Sequence, residues 1–431
     1  MRQESGFIED TDSSDVSDDD SASDSDTEDS DSDNQEPAPG SSAAGTTKII
    51  HEEGGAPRAD GSDEEEDEVV KAIMRSKELH RDHPPAITVE DHVVDVCFHP
   101  TRDAIALASI TGDVLYKYSN EETTLVSTKE LHTKPCRDIE FSQDGEVLFS
   151  TSKDKSILLT DVETEKMKRV YDDAHEYPIY TMTILSENTF ATGDDEGVVK
   201  FWDLRQAGST PVFSMKEVED YVSTMITNSD GKYLVCASGD GSLTTINIPA
   251  RKLHVQSEEK EEELTCLGLF KTETKLLAGT SKGKMYVFNW GEFGLHSDES
   301  PSLTKKSINC MVPITEHIVV TGGEDGILRA TSIFPHRHLG VVGQHNFSIE
   351  SLDISNDGTL IASSSHNNDV KFWNVKYFET LNTQDRVKGG KQKQLRHNLP
   401  SSKVNNASDF FSDLDYEPRR LSPKNSYCFR S

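Results

Sequence analysis

Short runs in which apolar and polar residues alternate recur from residue 83 to residue 378, and this period of two predicts strands rather than helices. Each run leads from a small-residue strand end through an acidic or glycine turn into a second strand that ends in an aromatic residue or its substitute. Seven such units align: TGDVLYKY, SKDKSILLT, DDEGVVKFW, SGDGSLTTI, SKGKMYVF, GEDGILRAT and HNNDVKFW. Their terminal positions are Tyr118, Thr160, Trp202, Ile246, Phe288, Thr331 and Trp373, spaced 42 to 44 residues apart. That spacing is the period of a four-stranded blade, so the pattern predicts an all-β, seven-bladed β-propeller.

The polar positions inside each unit are patterned too. His92, His132, His175 or His345 stands 26 to 28 residues before the terminal position, and blades 4 to 6 lack this His. A strand such as DIEFS or SLDIS follows, then a turn such as Gln143-Asp144-Gly145 or Asn356-Asp357-Gly358. These residues resemble the WD (WD40) repeat, in which the His, a strand Ser or Thr, a turn Asp and the terminal Trp form a buried hydrogen-bonded set. On that resemblance blade 2 offers His132, Ser152 and Asp154 with Thr160 in place of Trp, and blade 3 offers His175, Asp195 and Trp202. No blade plainly keeps all four, so several blades are expected to rest on apolar packing. The histidines read as internal polar partners, not as metal ligands or general bases. Residues 86–90, AITVE, have no blade of their own and the last blade lacks an outer strand. Pairing the two closes the ring and removes two exposed edges.

Charge divides the chain. Of its 431 residues, 44 are Lys or Arg and 77 Asp or Glu, a net of −33. Residues 1–70 hold 24 of the acids against Arg2, Lys48 and Arg58, so the arm 1–82 is expected to be a disordered segment without a core. Residues 382–431 are net +5, and the tail 379–431 reads as basic and mostly disordered. Such a balance argues against duplex nucleic-acid binding by the whole molecule and for protein partners, with RNA contact left to the basic tail. No apolar run reaches membrane-spanning length and the first residues lack a secretory pattern, so an intracellular protein is expected. The six cysteines are far apart, which argues against zinc, disulfides or a redox dithiol and for buried thiols.

Catalytic motifs are missing: there is no Gly-x-Ser-x-Gly, His-Glu-x-x-His, phosphate loop or dinucleotide fingerprint. Ser238-Gly239-Asp240-Gly241 and Gly322-Gly323-Glu324-Asp325-Gly326 recur at the blade period and read as hairpin turns. No cofactor, metal or small-molecule substrate is implied, and an enzyme is expected only if groups from separate blades converge. Two surface features stand out. Trp202-Asp203-Leu204-Arg205 resembles the Trp-Asp-x-Arg box of propellers that dock on the damaged-DNA-binding adaptor of cullin-RING ubiquitin ligases, with Arg205 as a planar contact on the rim. Lys134, Tyr177 and Tyr221, near the starts of inner strands, are expected on one face, as binding anchors or as packing.

The tails carry linear signals. Ser17, Ser21, Ser23, Ser25, Ser30 and Ser62 each have an acid three residues on, the pattern of acid-directed kinases, and the arm suits basic nucleolar or ribosomal partners or simple solubilisation. The basic stretch 386–403 reads as a nuclear or nucleolar address, an RNA contact or a linker. Beyond it, Phe410, Phe411 and Leu414 in SDFFSDL form a short docking motif, for this propeller or for a partner.

FNWGEFGLHSD (288–298), CMVPITE (310–316), RATSIFPHR (329–337), Gly343-Gln344-His345 and SDFFSDL together resemble the WD repeat-containing protein 55 family, from about residue 83 to about 414. The resemblance implies a noncatalytic nuclear or nucleolar protein, also cytoplasmic, serving ribosomal RNA production and ribosome biogenesis, with links to cell-cycle progression and development. It also implies, through Arg205, the family's other suggested role as an adaptor-bound ligase receptor. A scaffold for ribosome assembly, a ligase receptor and, third, an enzyme are thus the expectations to carry forward.

Overall fold

Seven four-stranded antiparallel sheets form a β-propeller, and each is built from consecutive strands except the last. The computed structural model describes residues 82–300, 302, 304–381 and 397–403. Blade 1 runs outward through Val93–Phe98, Ala104–Ser109, Asp113–Tyr118 and Thr123–Lys129. Blades 2 to 6 repeat this from innermost strands Cys136–Phe141, Ile179–Ser186, Val222–Thr227, Leu264–Phe270 and Ile308–Pro313. Blade 7 supplies three strands of its own, Ile349–Ile354, Leu360–Ser365 and Asp369–Asn374. Its fourth is Ile87–Thr88, with Ile87 opposite Val370 and Thr88 opposite Asp369.

Burial follows position in the blade. The second strands, such as AIALAS (104–109) and LIASSS (360–365), are buried along their whole length because both faces meet neighbouring blades. Small residues there let the sheets approach while the larger ones fill the gap. Between blades 7 and 1, for instance, Phe372 sits 6.2 Å from Phe98 and 5.7 Å from Tyr118, ring centre to ring centre. In six of the seven blades the turn from second to third strand uses a positive φ. Gly197, Gly241, Gly283 and Gly326 provide it, and Lys155 and Asn368 adopt it in blades 2 and 7. The glycine-rich strings around 238–241 and 322–326 are therefore turns.

The polar sets differ from the sequence expectation in three ways. First, two blades keep all four groups. In blade 3, His175 bridges Asp194 (Nδ1···Oδ2 2.9 Å) and Thr192 (Nε2···Oγ1 2.7 Å), and Trp202 Nε1 donates to the same hydroxyl at 2.8 Å. In blade 7, His345, Asp369, Ser363 and Trp373 do the same at 3.0, 2.7 and 2.8 Å. The acid in blade 3 is thus Asp194, whose side chain turns inward, while Asp195 faces out and pairs with Arg137 at 2.5 Å. Second, the hydroxyl on His132 in blade 2 is Ser150 (2.9 Å), not Ser152, which lies two residues further along the same face of the strand, past the reach of His132, and donates to the Lys134 and Pro135 carbonyls. Third, His92 directly precedes its inner strand, whereas His132, His175 and His345 stand four residues ahead of theirs. It lies outside the blade, stacked on His366 at 4.5 Å.

After Asn374 a single 3₁₀ turn, Lys376–Glu379, buries Phe378, and residues 397–403 come back onto blade 6 with Leu399 buried. Thr192→Ala removes the one hydroxyl that satisfies both His175 and Trp202. It is expected to destabilise the fold by about 3 kcal/mol in urea denaturation. Deletion of residues 83–91 is expected to lower the thermal midpoint and broaden the transition; an unchanged cooperative melt contradicts a closing role for that strand.

Candidate functional site

A channel of ≈ 550 Å³ runs between the innermost strands of all seven blades. All seven of those strands bulge at their second residue, Val94, Arg137, Tyr180, Ser223, Thr265, Asn309 and Glu350, and in blade 7 the irregularity extends over Ser351. The bulge re-aims side chains at the next blade and breaks the ladder locally. On blades 4 to 6 the seams are bridged by donors. Ser223 donates to the Leu264 carbonyl at 2.6 Å, Thr265 to the Ile308 carbonyl, and the Asn309 amide to the Ile349 carbonyl at 2.9 Å. Blade 2 has such a donor too, Arg137, to the Ile179 carbonyl at 3.3 Å, but on blades 7, 1 and 2 carboxylates form most of the bridges. Asp353 accepts from the Phe98 amide at 2.6 Å, Asp95 from the Ile139 amide at 3.0 Å and the Ser351 hydroxyl at 2.6 Å, and Asp138 from the Met182 amide at 2.7 Å. Glu140 adds the Ile184 amide at 3.0 Å.

Four carboxyls on one arc of one channel repel each other in a desolvated wall. Burial, opposed by these hydrogen bonds, lifts Asp138 and Asp353 to about 7 and Glu140 to about 8, and Asp95 moves the same way. Their hydrogen-bond partners are backbone amides and hydroxyls of adjacent blades, so these carboxyls are structural bridges. Among the described residues no His, Cys, Asp and Glu group is arranged to hold a metal ion. Cys136, Cys236, Cys266 and Cys310 are buried thiols, and burial pushes Cys266 up to about 12.

At one mouth of the channel stands an aromatic and charged group. The Arg137 guanidinium lies 5.2 Å over the Tyr180 ring, and that ring is 4.8 Å from Tyr221, whose hydroxyl donates to Glu263 at 3.1 Å. Tyr177 and Tyr180 are exposed here, as is Phe347 at the start of blade 7. Lys134 and Tyr177 occupy matching exposed positions two residues ahead of their inner strands. Tyr221 is packed between Tyr180 and Glu263, so of the three residues it is the packing element. Tyr180 and Arg137, the bulge residues, belong to this mouth and were not apparent from strand alternation, because a bulge inverts the side to which a residue points.

Arg205 sits at the opposite end. Ile179 pairs with Asp194 at the mouth end of blade 3, while Asp203 pairs with Thr189 at the far end. Trp202 is buried in the blade, so the Trp-Asp-Leu-Arg string exposes only its later residues. Asp203 accepts from Arg205 Nε at 2.9 Å and Nη2 at 2.6 Å, which holds its carboxyl down at about 2, and the Arg205 side chain remains 69% exposed. From blade 2, Arg169 clamps the loop: it donates to the carbonyls of Leu204, Gln206 and Gly208 at 2.8, 2.5 and 2.7 Å. Arg169 was missed in the sequence because nothing near it in the chain marks a loop in the next blade. Phe410, Phe411 and Leu414, and Ser17, Ser21, Ser23, Ser25, Ser30 and Ser62, lie outside the described residues.

Seven blades, with a complete His, hydroxyl, Asp and Trp set in two of them, define a WD-repeat propeller. The WDR55 family model matches residues 84–378, and the chain belongs to that family. It is 57% identical over 353 residues to the WD repeat-containing protein 55 homolog of Aedes aegypti, covering 82% of this chain and 75% of the relative. The homologs of Drosophila melanogaster and Drosophila willistoni are 54% and 55% identical over 357 residues, 82% of this chain and 71% and 70% of theirs. The resemblance carried by residues 288–298 and 310–316 is thereby borne out. Fold and family together support a protein-interaction scaffold.

The raised carboxyls have a pH consequence. Asp and Glu bind protons more tightly folded than unfolded here, so they contribute most at low pH. That contribution falls as pH rises from the unfolded range near 4 through about 7 to 8. The urea midpoint is expected to drop between pH 5.5 and 8.5, and Glu140→Gln should flatten that drop; equal slopes for the two proteins would exclude Glu140 as a source.

Proposed function

We propose that the protein is a nonenzymatic scaffold of the nucleus and nucleolus that supports ribosomal RNA production and ribosome assembly. The observation that carries the reading is family membership across the whole propeller. Chemistry agrees with it: the carboxyls Asp95 and Asp138 and the histidines His175 and His345 are engaged in hydrogen bonds between strands and blades. The arm of residues 1–70, with its 24 acids, favours highly basic partners, as ribosomal proteins and nucleolar factors are. RNA contact, on this reading, is left to the basic stretch 386–403.

A second reading is favoured by one specific observation. An arginine already aligned by Asp203, on a loop held from the neighbouring blade by Arg169, is a preorganised protein contact. It fits a substrate receptor that docks on a cullin-RING ligase adaptor. Both readings are tested by purifying the full-length protein and Arg205→Ala from nuclei at moderate salt and identifying the retained proteins by mass spectrometry. The scaffold reading expects ribosome-assembly factors with both forms, and their absence from both refutes it. The receptor reading expects the adaptor with the parent and at least about a tenfold loss from the variant, with unchanged melting; undiminished adaptor removes it. Arg169→Ala is expected to lower adaptor capture as well, through the loop.

A further inference from the structure

The outermost strand of blade 6, His336–Gln344, is drier than its counterparts. Its middle residues, Leu339, Val341 and Val342, are buried, whereas the outermost strands of blades 1 and 4 turn mainly to solvent. Residues 397–403 of the same chain cover it. Val341 donates to the His397 carbonyl at 2.8 Å and accepts from the Leu399 amide at 2.9 Å, a single parallel bridge opposite Asn398, after which residues 400–403 form one helical turn closed by the Lys403 amide on the Leu399 carbonyl at 3.3 Å. Leu399 enters the core shared by blades 6 and 7, beside Val342, Trp373 and Phe378. Two positions on, the Ser401 hydroxyl donates to the Val342 carbonyl at 2.7 Å and meets Tyr377 Oη at 3.0 Å. Gly340 leaves the approach open, since a Cβ there would stand 2.5 Å from the His397 carbonyl oxygen.

We propose that the outer edge of blade 6 is a docking site for a segment of a partner protein that pairs briefly with Val341 and then makes a helical turn, with an apolar anchor followed two residues later by a hydroxyl residue in that turn, and that residues 397–403 are its exchangeable occupant in cis. The pattern of the partner is read from the segment seated there: backbone pairing to Val341 supplies attraction, and the Leu399 pocket and Val342 carbonyl supply selection. Blade 6 does not need the segment to be a sheet, because its outer strand already pairs with Ile327–Ile333 along seven register positions. The segment in turn is held by two ladder bonds, one buried apolar side chain and the buried Ser401 and Ser402, while His397, Asn398 and Pro400 stay exposed. So few contacts barely offset the ordering of the residues that make them, which favours frequent opening. An uncovered apolar edge is a template for aggregation, and a covering segment in cis protects it between partners. Phosphorylation of Ser401 would set a dianion against the Val342 carbonyl in apolar surroundings, and a segment so modified cannot seat.

The probe is a fluorescent peptide of residues 395–404, titrated by anisotropy against the full-length protein and against full-length Leu399→Asp, whose own segment no longer docks. The proposal expects the variant to bind the peptide at least about tenfold more tightly than the parent, since a tethered competitor acts at a high effective concentration. It also expects phosphoserine at position 401 of the peptide to weaken binding to the variant by at least about tenfold. A smaller difference between the proteins, or no binding to a variant that still melts cooperatively, overturns it. Native-state hydrogen exchange of the unmodified protein decides the matter if the variant does not fold. The amides of Val341 and Leu399 are then expected to exchange at least about a hundredfold faster than that of Ala330 in the adjacent strand. Exchange of all three only on global unfolding shows an integral strand and refutes the proposal.

Discussion

A ring has to close, and everything else in this propeller depends on the seam between blades 7 and 1. There the backbone pairing of Ile87–Thr88 with Asp369 and Val370 is short, and side chains reinforce it. Asn368 donates to the Glu90 carbonyl at 3.0 Å and Asn374 to the Asp82 carbonyl at 2.8 Å. On the channel side Asp353 holds the Phe98 amide and Asp95 holds Ser351. Between these polar layers lie Phe98, Tyr118 and Phe372. The seam is thus bonded inside and outside and packed in the middle, as a blade is within itself.

The channel acids follow from the same constraint. On six blades a side chain of the innermost strand faces the neighbouring blade's backbone, and whatever residue stands there must complement an amide or a carbonyl. Blades 7, 1 and 2 present carboxylate acceptors, blade 2 with the Arg137 donor besides, and blades 4, 5 and 6 donors, which leaves the acids crowded on one arc. Their raised protonation is a by-product of joining blades, with a cost in stability at high pH.

Period and turn chemistry made the architecture legible. The seven terminal positions fall in the third strands, and the positive φ at Gly197, Gly241, Gly283 and Gly326 is why glycine punctuates the repeat. Residues whose role depends on side-chain direction were less legible. Asp194 and Asp195 are neighbours of identical chemistry, and only side-chain direction at the strand end assigns one to His175 and the other to Arg137; Ser150 and Ser152 share a strand face, and it is their distance along the strand that gives one to His132 and the other to the Lys134 and Pro135 carbonyls. Contacts between blades left the weakest trace. Arg169 and the return of residues 397–403 join parts of the chain that no local pattern connects.

The seam also has a consequence in time. Asn368 and Glu90, which meet across it, are 278 residues apart in the chain. Emerging from a ribosome amino end first, the polypeptide can assemble six blades in order while residues 87–88 wait without a partner and blade 1 presents a bare inner flank. Contacts this distant are slow to form, and the waiting flank is apolar. The last blade to be synthesised therefore converts an adhesive intermediate into a sealed molecule, and nascent chains that stall before residue 370 are the species most in need of chaperones.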